Sequence, residues 1–561
     1  MRTGRLAALP LCLVAAFAAQ RAAGYAVEVH KDFYDLAFAG AAAGRTVEAP
    51  TPDDLVAFRR FVWERASRNA EFRRRWPTAA AFDAAAFKEF LALNPAKAVV
   101  GIDSVPAGRA LDVRTVVREG SVDPDNDFRN QDRLFVRGGN VALDPFGRAV
   151  PYDPRTAWFG GVTGVPSQFD AHGATLRTGE KGGGLFTAMR HPEHFARPPV
   201  PLGSAPEFSQ TYTDLAMLAR LRGGRGAEWL SLTFGGNNLH GLEDLGNQIH
   251  CTVLGIPEFF IDAKKTFYKN KLKNLLRGRT DPAAGWGPPA TLTPAQVNAA
   301  MELIKAGRED QVDPSVRFAL GHEPKGKPTD VDIGMQIIGN HHRLLEDFVE
   351  SQTISAMRSL AAGRPQDVAP RMRSLLDRAQ RGDATFEARC RSTLAANGLG
   401  GDPKGMTEFA RVLAEVMVEH SAPEAAPIYR AIRKISRPGL KAMEVYDAQL
   451  GHDPLQYVTT TSGKHVDEIW ELSGRAFARV VTVLRLWDET WMAETGDVAP
   501  GSPEALARAD AIVERLVGGR LAYLDAAAKR RDEYLAEKAK EHQEATAPKR
   551  GMIDRLRGFF R

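Results

Sequence analysis

Apolar positions recur every three to four residues over most of the chain, the spacing of helices with one buried face. "HKDFYDLAFAGAAAG" and "TPDDLVAFRRFVWERA" open the series, the second with Thr51 as N-cap and Pro52 in the first turn. From about residue 212 the pattern returns in "TDLAMLARLRGG" and "AEWLSLTFGGNNLHGLEDL". It continues in "MQIIGNHHRLLEDFVESQTISAMRSL", "MTEFARVLAEVMVEHS" and "VDEIWELSGRAFARVVTVLRLWDETWM", whose aromatic residues have core spacing. Strand-like alternation is scarce and no internal repeat is visible. The fold class expected is all-α.

Two stretches interrupt the helical pattern, at about 130–210 and 275–330. The first is rich in Gly, Pro and Asp; the second surrounds one helical run, "TPAQVNAAMELIKAG". Long irregular stretches inside a compact body are usually insertions or functional loops. The sequence thus divides into a leader (1–24), a helical domain (25–500) with two insertions, and a charged helical C-terminal tail (501–561).

Composition changes this picture at the ends. Arg2 and Arg5, an apolar run and the small residues Ala22-Ala23-Gly24 have the form of a secretory signal peptide. Cleavage there would make Tyr25 the first residue and place the protein outside the cell or in the periplasm. No later segment has the length and apolarity of a membrane span. The formal net charge of +5 resides in the leader and in the tail beyond 529, and the body between is near neutral. That excludes the basic face of a dedicated DNA-binding domain. Behind the leader only Cys251 and Cys390 remain, one disulfide at most.

Histidine is scarce, 13 in all, so its spacing carries information. His240 and Asp244 in "HGLEDLGNQIH", and His342 and Glu346 in "HHRLLED", are i, i+4 pairs that share one helix face. His341 has no acid four residues on. Imidazole and carboxylate are natural zinc ligands, although either pair alone is equally the pattern of a surface ion pair. On a continuous helix His250 would lie about 15 Å along the axis from His240 and about 80° round it. One ion cannot bridge that gap. Gly246 and Asn247 suit the left-handed conformation that ends helices, so a break there would let His250 serve a neighbouring ion.

These residues resemble the superfamily of zinc-dependent phospholipases C and S1/P1 nucleases. His240, Asp244 and His250 have the spacing of its central His-x3-Asp-x5-His motif, and His342 with Glu346 that of its later His-x3-Glu or His-x3-Asp. Mature members begin with an aromatic residue whose amino group and carbonyl bind zinc; in the nuclease branch a ligand His follows five residues later, as His30 follows Tyr25. "GSVDPD" resembles the segment of another ligand and points to Asp125, with Asp123 as its rival. "HFARP" supplies His194, displaced by the first insertion, with His172 and His191 as rivals and Gln131-Asp132 nearer its usual place. Other departures are Tyr25 in place of Trp, and "GNQIH" where Gln-Pro usually precedes the last His.

The resemblance spans residues 25–495 in order and implies three zinc ions. Asp125, His194, His240 and Asp244 would hold one. His250, His342 and Glu346 would hold the second. The Tyr25 amino group and carbonyl, His30 and a bridging Asp244 would hold the third. Clustered cations suit phosphodiester hydrolysis, and Asp125 could orient or deprotonate the attacking water. The expected partner is a phosphodiester substrate, a phospholipid first and a nucleic acid second, with transient membrane-surface contact and no stable protein partner. A metal-stabilised helical binding protein without turnover stays open as an alternative. "GHEPKGKPT" lacks the Ser or Thr of a phosphate-binding loop, because Pro328 stands there, and "HPEH" lacks zinc-protease spacing.

Overall fold

The computed structural model describes residues 27–38, 44–91, 110–122, 142–143, 149–150, 205–251, 311, 330–398, 408–438, 453–522 and 525. These are mostly helical, as expected of an all-α protein, with two small antiparallel strand pairs. Strand β1 (Thr46–Glu48) pairs with β2 (Ala110–Asp112), and β3 (Ala142–Leu143) with β4 (Ala149–Val150). Helix α1 (Val27–Ala37) buries Val29, Phe33, Tyr34 and Ala37, and His30 lies on the same stripe. α2 (Pro52–Ala66) starts with the expected Thr51 cap, completed by Asp54 into a capping box, and Pro52 occupies a position with no helical N–H bond to lose. Short helices α3 (Ala70–Arg75) and α4 (Ala84–Leu91) close an aromatic cluster of Phe72, Trp76, Phe82 and Phe90.

The centre of the molecule is a helical hairpin of α5 (Ala205–Arg222) and α6 (Ala227–Asp244). Its turn uses Gly223, Gly224 and Gly226 at positive φ, a conformation that costs glycine nothing. α5 begins at Ala205, earlier than the sequence pattern suggests. Pro206 near its N-terminus does not oppose this, because the first N–H groups of a helix have no helical acceptor. All but two of the residues of α6 are buried, the polar ones Asn237, Asn238, His240, Glu243 and Asp244 included, so the helix is enclosed on every side. Its enclosing elements include α5, α1 and two long helices, α10 (Phe409–Ile435) and α11 (Lys464–Thr495). α7 (Asp330–Ala361) packs on α1 and α10, and α8 (Pro370–Arg381) and α9 (Ala384–Ala396) on α11. Trp470, Phe477 and Trp487 of α11 are core residues, as their spacing suggests. The helical segment 503–522 belongs to the same core through Ala505, Ala509, Ile512 and Val513, although the sequence reading assigns it to a charged tail. Asp214 of α5, buried, accepts from Arg515 of that segment at 2.5 Å.

α6 ends at Asp244, and a short 3-10 helix, Gln248–Cys251, follows. The expected break is therefore present, but not by a left-handed residue. Leu245 is right-handed and Gly246 is not among the positive-φ glycines. The amides of Gly246 and Asn247 instead bond to the carbonyls of Glu243 and Asp244, three residues back, so the chain tightens before it turns. Gln248 anchors the turn by donating to the Leu472 carbonyl at 2.9 Å and to Glu424 at 3.3 Å. Glu424 is held in turn by Arg479, 2.6 Å away and nearly buried.

The helical segment 113–122 crosses α6 with backbone nearly touching backbone. A Cβ on Gly236 would stand 2.6 Å from the Val117 carbonyl oxygen and 2.9 Å from the Gly120 Cα. Asn237 locks the crossing by donating to the Gly120 carbonyl at 2.8 Å. Only glycine fits there, and overpacking a close contact costs about 1–3 kcal/mol. Gly236→Ala should therefore lower the denaturant midpoint by that equivalent; an unchanged midpoint would show that the two segments are free to separate.

Candidate metal centre

The last two turns of α6 carry His240, Glu243 and Asp244, all fully buried. α1 brings in His30 from 210 residues upstream of His240, and the two imidazole rings lie with centroids 4.2 Å apart. Two features of α1 fix this approach. Phe33 packs edge-on against Phe477 of α11, and Arg485 donates to the Leu36 and Ala37 carbonyls at the helix end. The chain thus joins His30, His240 and Asp244, three of the ligands expected from the sequence.

The hydrogen bonds assign the ring nitrogens. His240 Nδ1 is 2.7 Å from the Ser121 carbonyl oxygen, which only accepts, so Nδ1 carries a proton. His30 Nδ1 is 2.6 Å from Glu243 Oε2, and the same reasoning holds against a carboxylate. Each ring then turns its Nε2 toward Asp244: His240 to Oδ2 at 3.3 Å and His30 to Oδ1 at 3.7 Å. A neutral imidazole with its proton on Nδ1 presents a lone pair from Nε2, and a lone pair repels a carboxylate. The arrangement calls for a proton, on a ring or on Asp244, or for a cation between the groups.

The spacing of the donors favours the cation. Two ligands of one tetrahedral zinc, with bonds of about 2.0–2.2 Å, stand roughly 3.4 Å apart, and the two Nε2-to-Asp244 separations of 3.3 and 3.7 Å bracket that spacing. His30, His240 and Glu243 form a second grouping, each offering one donor atom within 4.8 Å of the others, but there Glu243 Oε2 is engaged by His30 Nδ1 at 2.6 Å. The residues present therefore fit a divalent cation. Asp244 directs one oxygen at each imidazole, so a single ion would take both nitrogens and the carboxylate, whereas the sequence resemblance has Asp244 bridge two ions.

Glu346, also buried, accepts a hydrogen bond from Asn247 Nδ2 at 3.1 Å. Asn247 lies three residues beyond Asp244, so the turn after α6 ties the α7 carboxylate to the end of α6. His342 is one helical turn before Glu346 on α7, and His250 lies in the 3-10 helix after α6. The side chains of these two histidines are outside the described part of the structure. Tyr25, Asp125 and His194, with the rivals Asp123, His172 and His191, also lie outside the described residues.

Three contributors escape the sequence motif: Glu243, Asn247 and the Ser121 carbonyl. Glu243 had a signal. It stands beside Asp244 at the enclosed end of α6, and a buried acid must meet a partner. Ser121 had none, because its contribution is a backbone atom placed by the Gly120–Gly236 crossing. Protein-family models, curated proteins and solved structures provide no match to the chain.

Cys251, just past the centre, donates to the Leu245 carbonyl and is not in a disulfide; neither is Cys390. Burial pushes the Cys251 thiol far up and that of Cys390 up to about 12. Neither sulfur is a thiolate near neutral pH, so neither resembles a metal-ligand or redox cysteine. A thiol reagent at pH 8 should leave both unreacted in the folded protein and label both in denaturant. Rapid labelling of the folded protein would contradict their burial. For the centre itself, His240→Ala and Asp244→Ala should each lower bound zinc by at least one equivalent in elemental analysis. Full metal content in both variants would remove the assignment.

Proposed function

We propose that the chain is an exported, zinc-dependent phosphodiester hydrolase of the phospholipase C type. The observation that carries this reading is the convergence of His30 and His240 on the two oxygens of Asp244 in a fully buried setting. Residues from two separated helices meet there, three of the ligands that the sequence resemblance implies. The proximity of Glu346, through Asn247, supports a second metal position at the end of α6.

His30 Nε2, His240 Nε2 and Asp244 would hold one cation, and Glu346 would contribute to a second on the α7 side. The ions, when bound, neutralise phosphate oxygens and lower the pKa of a bound water. The protein's own work is to hold the donors rigidly. The Ser121 carbonyl keeps the His240 ring in one tautomer. Asp244 serves both imidazoles, and the surrounding helices exclude bulk water, which strengthens each electrostatic contact. Orienting or deprotonating the attacking water is the task proposed for Asp125. Among the described residues no helix is long and apolar enough to cross a membrane.

A second reading is a single-strand nuclease of the S1/P1 type. The five-residue step from Tyr25 to His30 favours it, because His30 is the residue that joins the cluster. A metal-stabilised binding protein without turnover is the third. Zinc-loaded protein beginning at Tyr25, incubated with phosphatidylcholine, single-stranded DNA and a chromogenic phosphodiester, separates them. The phospholipase reading predicts release of phosphocholine well above DNA cleavage. DNA hydrolysis without lipid hydrolysis would replace it with the nuclease. Zinc bound with no turnover of any substrate would leave the binding protein.

A further inference from the structure

We infer that Glu243 is a positioning residue of the metal centre, a carboxylate that orients His30 from behind rather than a ligand itself. This rests on the metal-centre reading above. Glu243 Oε2 lies 2.6 Å from His30 Nδ1, with both side chains fully buried. A hydrogen bond to an ionised acceptor is among the stronger kinds. It commits the His30 proton to Nδ1 and leaves Nε2 as the ring's donor atom. That nitrogen faces Asp244 Oδ1, the side on which a cation would sit.

The same bond makes His30 a better ligand. A carboxylate on the far nitrogen pulls the N–H proton toward itself and raises electron density at Nε2. Outer-sphere partners of this kind govern metal affinity by about 10- to 100-fold. The two imidazoles of the centre are therefore not equivalent: His240 has a neutral carbonyl behind it, and His30 has a carboxylate. The adjacent positions of α6 divide the labour, Asp244 reaching both inner nitrogens and Glu243 one outer nitrogen. Consecutive helical residues point about 100° apart, so one carboxylate can approach the His30 ring on its inner side and the other behind it.

The test uses the mature, full-length chain and zinc alone as the probe. Glu243→Gln keeps an acceptor oxygen and removes the charge. Competition against a chelator of known affinity should show the same number of zinc ions at saturation, with one of them held about 10- to 100-fold more weakly. In the unmodified zinc-loaded protein, 15N NMR of the His30 ring should show a protonated Nδ1 and a metal-bound Nε2, an observation that requires no variant to fold. Loss of a whole zinc equivalent from Glu243→Gln at saturation would make Glu243 a ligand and overturn the inference. Unchanged affinity, or a metal-bound Nδ1, would overturn it as well. Failure of the unmodified chain to bind zinc at all would instead sink the metal-centre reading, and the role of Glu243 with it.

Discussion

The structure turns on one buried carboxylate. Asp244 sits at the end of a helix closed off on every side, between two imidazole nitrogens that approach its two oxygens at 3.3 and 3.7 Å. Removing a carboxylate from water costs several kcal/mol after relaxation, and that cost is offset only by close positive charge and good hydrogen bonds. Every neighbouring feature contributes to this balance. Ser121 and Glu243 direct the rings, and the glycine crossing brings Ser121 close. The turn after α6 ties in Glu346. A cation at the centre gives these contacts a common purpose; without one, the same groups form a costly knot in the core.

The core explains why such a knot is tolerated. α1, α10 and α11 contact α6, so α6 cannot rotate to release its polar residues. Below the site, Gln248, Glu424 and Arg479 form a second polar chain that fixes the turn carrying His250 against α10 and α11. The rigid frame is what a multi-ion centre needs, because ligands must be held in place before the ion arrives. In this respect the fold and the proposed chemistry impose the same demand: helices from distant parts of the chain, locked at their ends, with polar groups facing inward at one level.

Much of the frame was legible beforehand. The Thr51 cap, the aromatic stripe of α11 and the interruption after Asp244 all follow from local spacing, which helices obey closely. The meeting of His30 with His240 was legible only through the ordered motif, since nothing local links residues 210 positions apart. The manner of the break was not legible. Gly246 offers a left-handed conformation, but backbone bonds three residues back compete with it and prevail. Glu243 was visible as an acid beside Asp244, yet its partner depends on how α1 docks, a tertiary fact. The inclusion of 503–522 in the core went unread because its apolar positions lie among charges that look like those of a solvated face.

The central claim is that a cation lies between the imidazoles and Asp244. Anomalous diffraction at the zinc absorption edge, from crystals of the mature protein grown with zinc, addresses it directly. The account predicts an anomalous peak within bonding distance of His30 Nε2, His240 Nε2 and Asp244 together. A map with no peak there, and with both rings donating protons directly to the Asp244 oxygens, would show that the cluster is a buried ion-pair network and not a metal centre.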